Sequence, residues 1–145
     1  MNKKITRQIP LLCYLCLQAC TSTATETFTC PEKIYVQSQV SDSLAGWQIQ
    51  NSTGDHFLVS STFTDGPPAE KGYLRPSDTL AAADSLTGVD AALYDLSEMS
   101  AGEAWLVCQY ANTPAILAKK LPPAYRKCEV SLPRDISGQK VICTP

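Results

Sequence analysis

The chain has 145 residues, twelve basic and fourteen acidic side chains and a formal charge of -2. That length suits one domain with one core, and the acidic balance argues against a nucleic-acid partner because it repels a phosphate backbone. The seven cysteines are an odd number for a secreted chain until they are sorted.

Lys3, Lys4 and Arg7 precede an apolar run from Ile9 to Leu17. The run is about half the ~20 residues needed to cross a bilayer and contains Pro10, so it reads as a secretory signal and not as an anchor. It ends in Leu17-Gln18-Ala19-Cys20. A leucine three places before a cysteine, with a small residue directly before it, resembles the lipobox of bacterial lipoproteins, whose cysteine thiol is diacylated before cleavage. The resemblance implies a signal peptide over 1–19, a lipid anchor on Cys20 and, since Thr21 is not aspartate, sorting to the outer membrane facing the periplasm. Without lipidation the same cut leaves a soluble periplasmic protein. Loss of three basic residues with the signal leaves nine against fourteen acidic ones, a formal charge of -5.

Residues 20–29 are rich in threonine and poor in apolar side chains, and read as a flexible tether. A domain over 30–145 follows. Ile34, Val36 and Val40 alternate with polar residues over Lys33 to Val40, the period of a half-buried strand. Trp47 to Asn51 alternates again and runs into Ser52-Thr53-Gly54-Asp55, a turn cluster that predicts a hairpin. In the strand His56 to Thr64, Phe57, Val59 and Phe63 share one face while His56, Ser60 and Thr62 share the other, and Leu58 breaks the pattern. Asp65-Gly66-Pro67-Pro68 ends it.

A connection over Ala69 to Thr87 follows, in which Ser77-Asp78 caps a helical turn from Leu80 to Ala83. Ala91 to Leu96 and Ala104 to Asn112 flank a turn at Ser100-Ala101-Gly102 and predict a second hairpin. Its later strand is apolar on both faces, which places it mid-sheet. Ala115 to Leu121 is a further strand, ended by Pro122-Pro123. In the last hairpin Cys128, Val130 and Leu132 face one way, and Val141 and Cys143 have the parity to oppose Val130 and Cys128 across the turn from Pro133 to Gly138.

Cys13 and Cys16 leave with the signal and Cys20 carries lipid, so Cys30, Cys108, Cys128 and Cys143 remain. The hairpin parity pairs Cys128 with Cys143 and leaves Cys30 with Cys108. No closely spaced cysteine pair remains for zinc, and neither metal nor cofactor is expected. The fold class is mainly β, a single antiparallel sheet or a β-sandwich with at most one short helix, stapled by two disulfides.

His56, beside Asp55 and near Ser60 and Ser61, is the only histidine, and the chain lacks the elbow a serine nucleophile needs. No catalytic residue is assigned. Trp47, Trp105, Phe57 and Phe63 are read as core. In the proline-stiffened connection Thr64 to Ser77, Tyr73 and Arg75 are of the types enriched at interface hot spots and are the candidate partner-binding residues.

Cys30-Pro31, Gly46-Trp47, Phe63 with Gly66 and Pro67, Leu74 with Pro76, Trp105 with Cys108 and Tyr110, Thr113, Leu121-Pro122, Cys128 and Cys143 form a spaced pattern. It resembles a family of small exported proteins of gamma- and betaproteobacteria first noted in Salmonella, some encoded in type VI secretion islands. The resemblance implies a shared fold and an immunity protein that binds a periplasm-acting toxin or hydrolase. A second reading is a structural or assembly lipoprotein of the outer membrane.

Overall fold

The computed structural model describes residues 24–38, 45–46, 52–100, 102–132 and 138–145. Within them run β1 (Glu26–Thr29), β2 (Lys33–Ser38), β3 (Ser52–Asp65), β4 (Asp78–Leu80), β5 (Ala91–Asp95), β6 (Ala104–Tyr110), β7 (Ile116–Lys120), β8 (Lys127–Ser131) and β9 (Lys140–Thr144). They form two antiparallel sheets, a first of order β1-β9-β8-β5-β4 and a second of order β2-β3-β6-β7. The helical content among the described residues is one 3-10 turn, Pro68–Glu70. The mainly β class with two disulfides is thus the one the alternation indicates.

The inner faces of the two sheets close on one core. Tyr94, Cys128, Val130, Val141 and Cys143 of the first sheet meet Phe63, Ala104 and Leu106 of the second. Phe63 and Tyr94 touch edge to face at 4.9 Å between centroids, an arrangement that adds to plain area burial. A smaller cluster gathers Cys30, Leu58, Cys108 and Tyr110 where the chain passes from β1 to β2.

The tether expected over 20–29 includes a strand. Glu26–Thr29 is a strand pairing with β9, so the folded domain begins before Cys30. Phe28, the one large apolar residue between Cys20 and Cys30, is buried and meets Tyr125 edge to face at 6.0 Å. The Tyr125 hydroxyl donates to Glu26 at 2.5 Å, and this bond, with burial, raises the Tyr125 pKa. One inward side chain in four residues is too short a pattern for alternation to reveal.

β3 is longer than the strand expected over His56 to Thr64. Ser52 to Asp55 is not a turn: β3 runs through it and pairs with β2 from Lys33↔Phe57 to Ser38↔Ser52. The strand expected over Trp47 to Asn51 lies outside the described residues. Against β6 the register is Leu58↔Tyr110 and then Ser60↔Gln109. Val59 is therefore an extra residue, a β-bulge that inverts the parity of everything after it. Leu58, Ser61 and Phe63 are buried, while Phe57 is 61% and Val59 48% exposed. The break that Leu58 makes in the alternation is this bulge, and Phe57 is not core.

Two further expectations change. Asp78–Leu80 is a strand whose ladder pairs with β5, and residues 81–84 close a turn by Asp84 N–H to Ala81 O, so no helix forms there. β5 and β6 do not make a hairpin. β5 lies between β4 and β8 and β6 between β3 and β7, so the chain crosses between sheets there. The central place of β6 is the one its two apolar faces indicate.

The last hairpin has the register Cys128↔Cys143 and Val130↔Val141, with Leu132 beyond the strand end and exposed. Cys128 is bonded to Cys143, 15 residues on, and Cys30 to Cys108, 78 residues on. The second staple ties the β1–β2 crossing to β6. Beside it the buried Ser61 hydroxyl donates to Gln139 Oε1 at 2.6 Å and the Gln139 amide donates to Ser131 O, a polar link between the sheets. By the chain-entropy account, replacing Cys128 and Cys143 with serine is expected to cost about 3 kcal/mol, and replacing Cys30 and Cys108 about 4.5 kcal/mol. Urea denaturation of the two double variants measures this, with the long-range pair expected to shift the midpoint further.

Candidate partner-binding surface

The polar groups that a hydrolase would use are held apart. His56 Nδ1 lies 2.7 Å from Ala111 O and Asp55 accepts from Lys33 Nζ at 2.6 Å. Ser60 donates to Gln109 and Ser61 to Gln139. Each group has a structural partner, and the four do not converge.

The connection after β3 is a built feature. Gly66 at φ 88° turns the chain out of the strand, its N–H bound to Glu103 O and its carbonyl accepting from the buried Thr64 hydroxyl at 2.8 Å. Pro67 and Pro68 lead into the 3-10 turn, which Lys71 ends in the left-handed region at φ 57°. The chain then returns along β3, with Asp65 N–H to Gly72 O and Leu74 N–H to Phe63 O, both 2.9 Å, bracketing a Thr64↔Tyr73 bridge. Leu74 packs against the main core. At the foot of the pad the Asp65 carboxylate accepts from Ser100 N–H and from its hydroxyl.

Alternation about the Leu74 anchor puts Tyr73 and Arg75 outward. Tyr73 is 43% exposed, and Arg75, Lys71 and Glu70 are also exposed. The pad thus presents an aromatic ring between charged groups on a backbone fixed by two prolines and a ladder, a form that binds with little ordering cost. Trp105, expected in the core, instead lies on the outer face of β6, since Ala104 and Leu106 take the inner one. Its indole N–H is buried without an acceptor among the described residues. Trp47 lies outside the described residues.

Sequence reasoning missed an exposed row on the outer face of β2 and β3. Tyr35 (68% exposed), Phe57 and Val59 stand there around the Lys33–Asp55 ion pair. The signal was the out-of-phase Leu58, which marks the bulge that turns Phe57 outward.

A fold of this kind, with these four groups held apart among the described residues and a stiffened pad, suits a binding protein. A family model described as Type VI secretion system Tli immunity protein matches residues 49–144, well over half of the chain. The chain belongs to this family. The match takes in β3 through β9, the pad and three of the four disulfide cysteines. A protein of Azospirillum brasilense, described as an uncharacterized 16.3 kDa protein in the trpG 5' region, is 26% identical over 115 residues, covering 75% of this chain and 73% of its own length. No solved structure matches the chain. A Tli immunity protein neutralises a toxin, and the second reading of the sequence, a structural lipoprotein, gives way to this one.

In this Tli immunity protein the pad depends on Gly72. A Cβ there would sit 2.6 Å from the backbone oxygen of Asp65, where no flexible side chain can yield. Gly72→Ala is expected to destabilise the domain by about 1–3 kcal/mol and to release the Asp65 and Leu74 amides to exchange, which thermal denaturation and hydrogen exchange measure.

Proposed function

We propose that this Tli immunity protein is held at the envelope by lipid on Cys20 and neutralises its toxin in the periplasm by stoichiometric occupancy through the 64–77 pad. The observation that carries the reading is the braced, outward-facing Tyr73 beside exposed Arg75. An aromatic ring and a guanidinium on a pre-ordered backbone are the usual anchors of a tight interface. Occupancy requires no catalytic group, in keeping with the separate partners of His56, Asp55 and Ser61.

The sequence from Lys3 to Cys20 supports the anchor, with two or more acyl chains giving stable attachment at about 0.8 kcal/mol per buried methylene. Five residues separate Cys20 from β1. Extended, they reach on the order of 20 Å, which keeps the domain close to the bilayer.

The test is protection. The type VI toxin of the same gene cluster is directed to the periplasm of a susceptible host, with and without this chain, and survival is expected with it. Tyr73→Ala and Arg75→Ala are each expected to weaken toxin binding by about 2 kcal/mol with the thermal midpoint unchanged, as read by calorimetry. Full affinity in the double variant removes the pad from the interface. Separately, Cys20→Ala is expected to release the protein from the membrane fraction or leave unprocessed precursor, and continued pelleting with outer membranes overturns the anchor.

A further inference from the structure

Among the described residues β7 is an open edge of the second sheet. It pairs with β6, and all five of its residues, Ile116–Lys120, are exposed. Leu121 N–H donates to Ala104 O at 2.8 Å, and the register continues through Lys119↔Leu106 and Leu117↔Cys108. In an antiparallel ladder the hydrogen-bonded pairs alternate, so Leu117 and Lys119 direct their backbone groups to β6. Ile116, Ala118 and Lys120 direct theirs to the free edge. Facing β7 across the open side of the sandwich is β1, the edge of the other sheet. Between the two lies a cleft of ≈ 310 Å³ whose lining includes Glu26, Phe28, Leu106, Leu117 and Lys119. Lys119 Nζ stands 4.7 Å from the centre of the Phe28 ring.

We propose that an extended segment of the toxin adds to β7 as a fifth strand of the second sheet and brings an aspartate or glutamate to Lys119 in the cleft. The inference rests on the toxin-binding reading above and names the chemistry of the partner. The outward amides and carbonyls of Ile116, Ala118 and Lys120 supply the main-chain bonds of strand addition, and alternate side chains supply the selectivity. A strand laid along β7 displaces water from the Lys119 ammonium, which already lies against an aromatic wall. Burying that charge unpaired is costly, and a carboxylate offsets the cost through a charge-assisted bond. Lys120 is engaged by Glu103 at 2.6 Å, so Lys119 is the selecting group. The same lysine disfavours a second copy of this chain. Antiparallel self-pairing about Ala118 sets Leu117 against Lys119 and Ile116 against Lys120, and brings no carboxylate to Lys119, which is how edge lysines prevent sheet-to-sheet association.

The test uses the mature chain and the purified toxin that it neutralises in the protection assay. Ala118→Pro removes an outward N–H without touching the β6 ladder, a change that edge strands tolerate. Ala118→Pro is expected to weaken toxin binding at least about tenfold by calorimetry, with the circular dichroism spectrum retained. Lys119→Glu is expected to weaken it at least about tenfold, and Lys119→Arg to stay within about threefold. In the complex the amides of Ile116, Ala118 and Lys120 are expected to gain protection from hydrogen exchange. Binding by both β7 variants within about twofold of the original chain, or unchanged exchange at the outward amides, overturns the proposal. If only the Tyr73 and Arg75 variants lose affinity, the pad stands and the edge falls, whereas no complex with the unaltered chain overturns both. A dimer of the free chain that Ala118→Pro dissolves while toxin binding persists assigns the edge to a second copy and also overturns it. Should Ala118→Pro fail to fold, Lys119→Glu and the exchange pattern decide.

Discussion

The extra residue at Val59 is the constraint on which the sandwich depends. β3 is 14 residues long and serves two neighbours, β2 along its first half and β6 along its second. A strand of that length accumulates twist, and a bulge at the handover lets each half meet its own partner. Because side chains alternate with a period of two, the inserted residue also exchanges the faces. Leu58 enters the small cluster near Cys30, and Ser61 and Phe63 enter beyond it. The pad follows from the same strand. β3 outlasts β2, whose side of the ladder closes with Leu58 N–H to Glu32 O, and the vacant edge beyond is where residues 72–74 return.

Covalent and polar links supplement the apolar core between the two sheets. Cys30–Cys108 fastens the crossing between β1 and β2 to the middle of the second sheet, and the Tyr110 hydroxyl donates to Pro31 O at 3.0 Å in the same place. Burial at that site raises the Tyr110 pKa. Ser61 and Gln139 bridge the sheets inside the core with each polar group satisfied, the condition under which buried polarity specifies a structure without destabilising it. On the outer face of the first sheet the Glu129 carboxylate accepts from the Ser85 hydroxyl and the Leu86 N–H. That pair holds the β4–β5 loop against β8.

Much of the architecture was legible wherever one rule applied without interruption. Val130 and Cys128 opposite Val141 and Cys143 is a parity statement, and parity survives a short hairpin. The apolar faces of β6 announced its central place for the same reason, since a strand between two others and beneath a covered face has no polar side. What failed was whatever needed a long-range partner. Ser52 to Asp55 has turn composition but is carried as strand because β2 satisfies its backbone, and tertiary pairing outweighs weak local preference. Ala91 to Leu96 and Ala104 to Asn112 have the spacing of a hairpin, yet neither composition nor period says whether the chain turns back within a sheet or crosses to another. Of the candidate site, Tyr73 and Arg75 were legible as residue types on a proline-stiffened segment. The role of Gly72, which admits the returning chain against Asp65, and the open edge at β7 depend on neighbours distant in sequence.

The pad and the β7 edge lie on opposite sides of β3 and β6 in one sheet. Neighbouring strands are about 4.8 Å apart, so the two features are separated by roughly 15 Å across the outer face. A standard interface covers about 800 Å² on each partner, wide enough for one partner to span both. Between them by register stand Trp105, Thr62 and the fully buried Val107 and Thr64, so a partner that reaches both features does so over a covered stretch of that face. Both candidate contacts are backbone-braced, one by the return along β3 and the other by the β6 ladder, so neither must be ordered as a toxin arrives. For the occupancy proposed for this immunity protein, this matters more than any single contact. The conformational cost that weakens loop-mediated binding is met here during folding, by the strand that outlasts its neighbour and by the disulfide that fixes β6 beneath the edge.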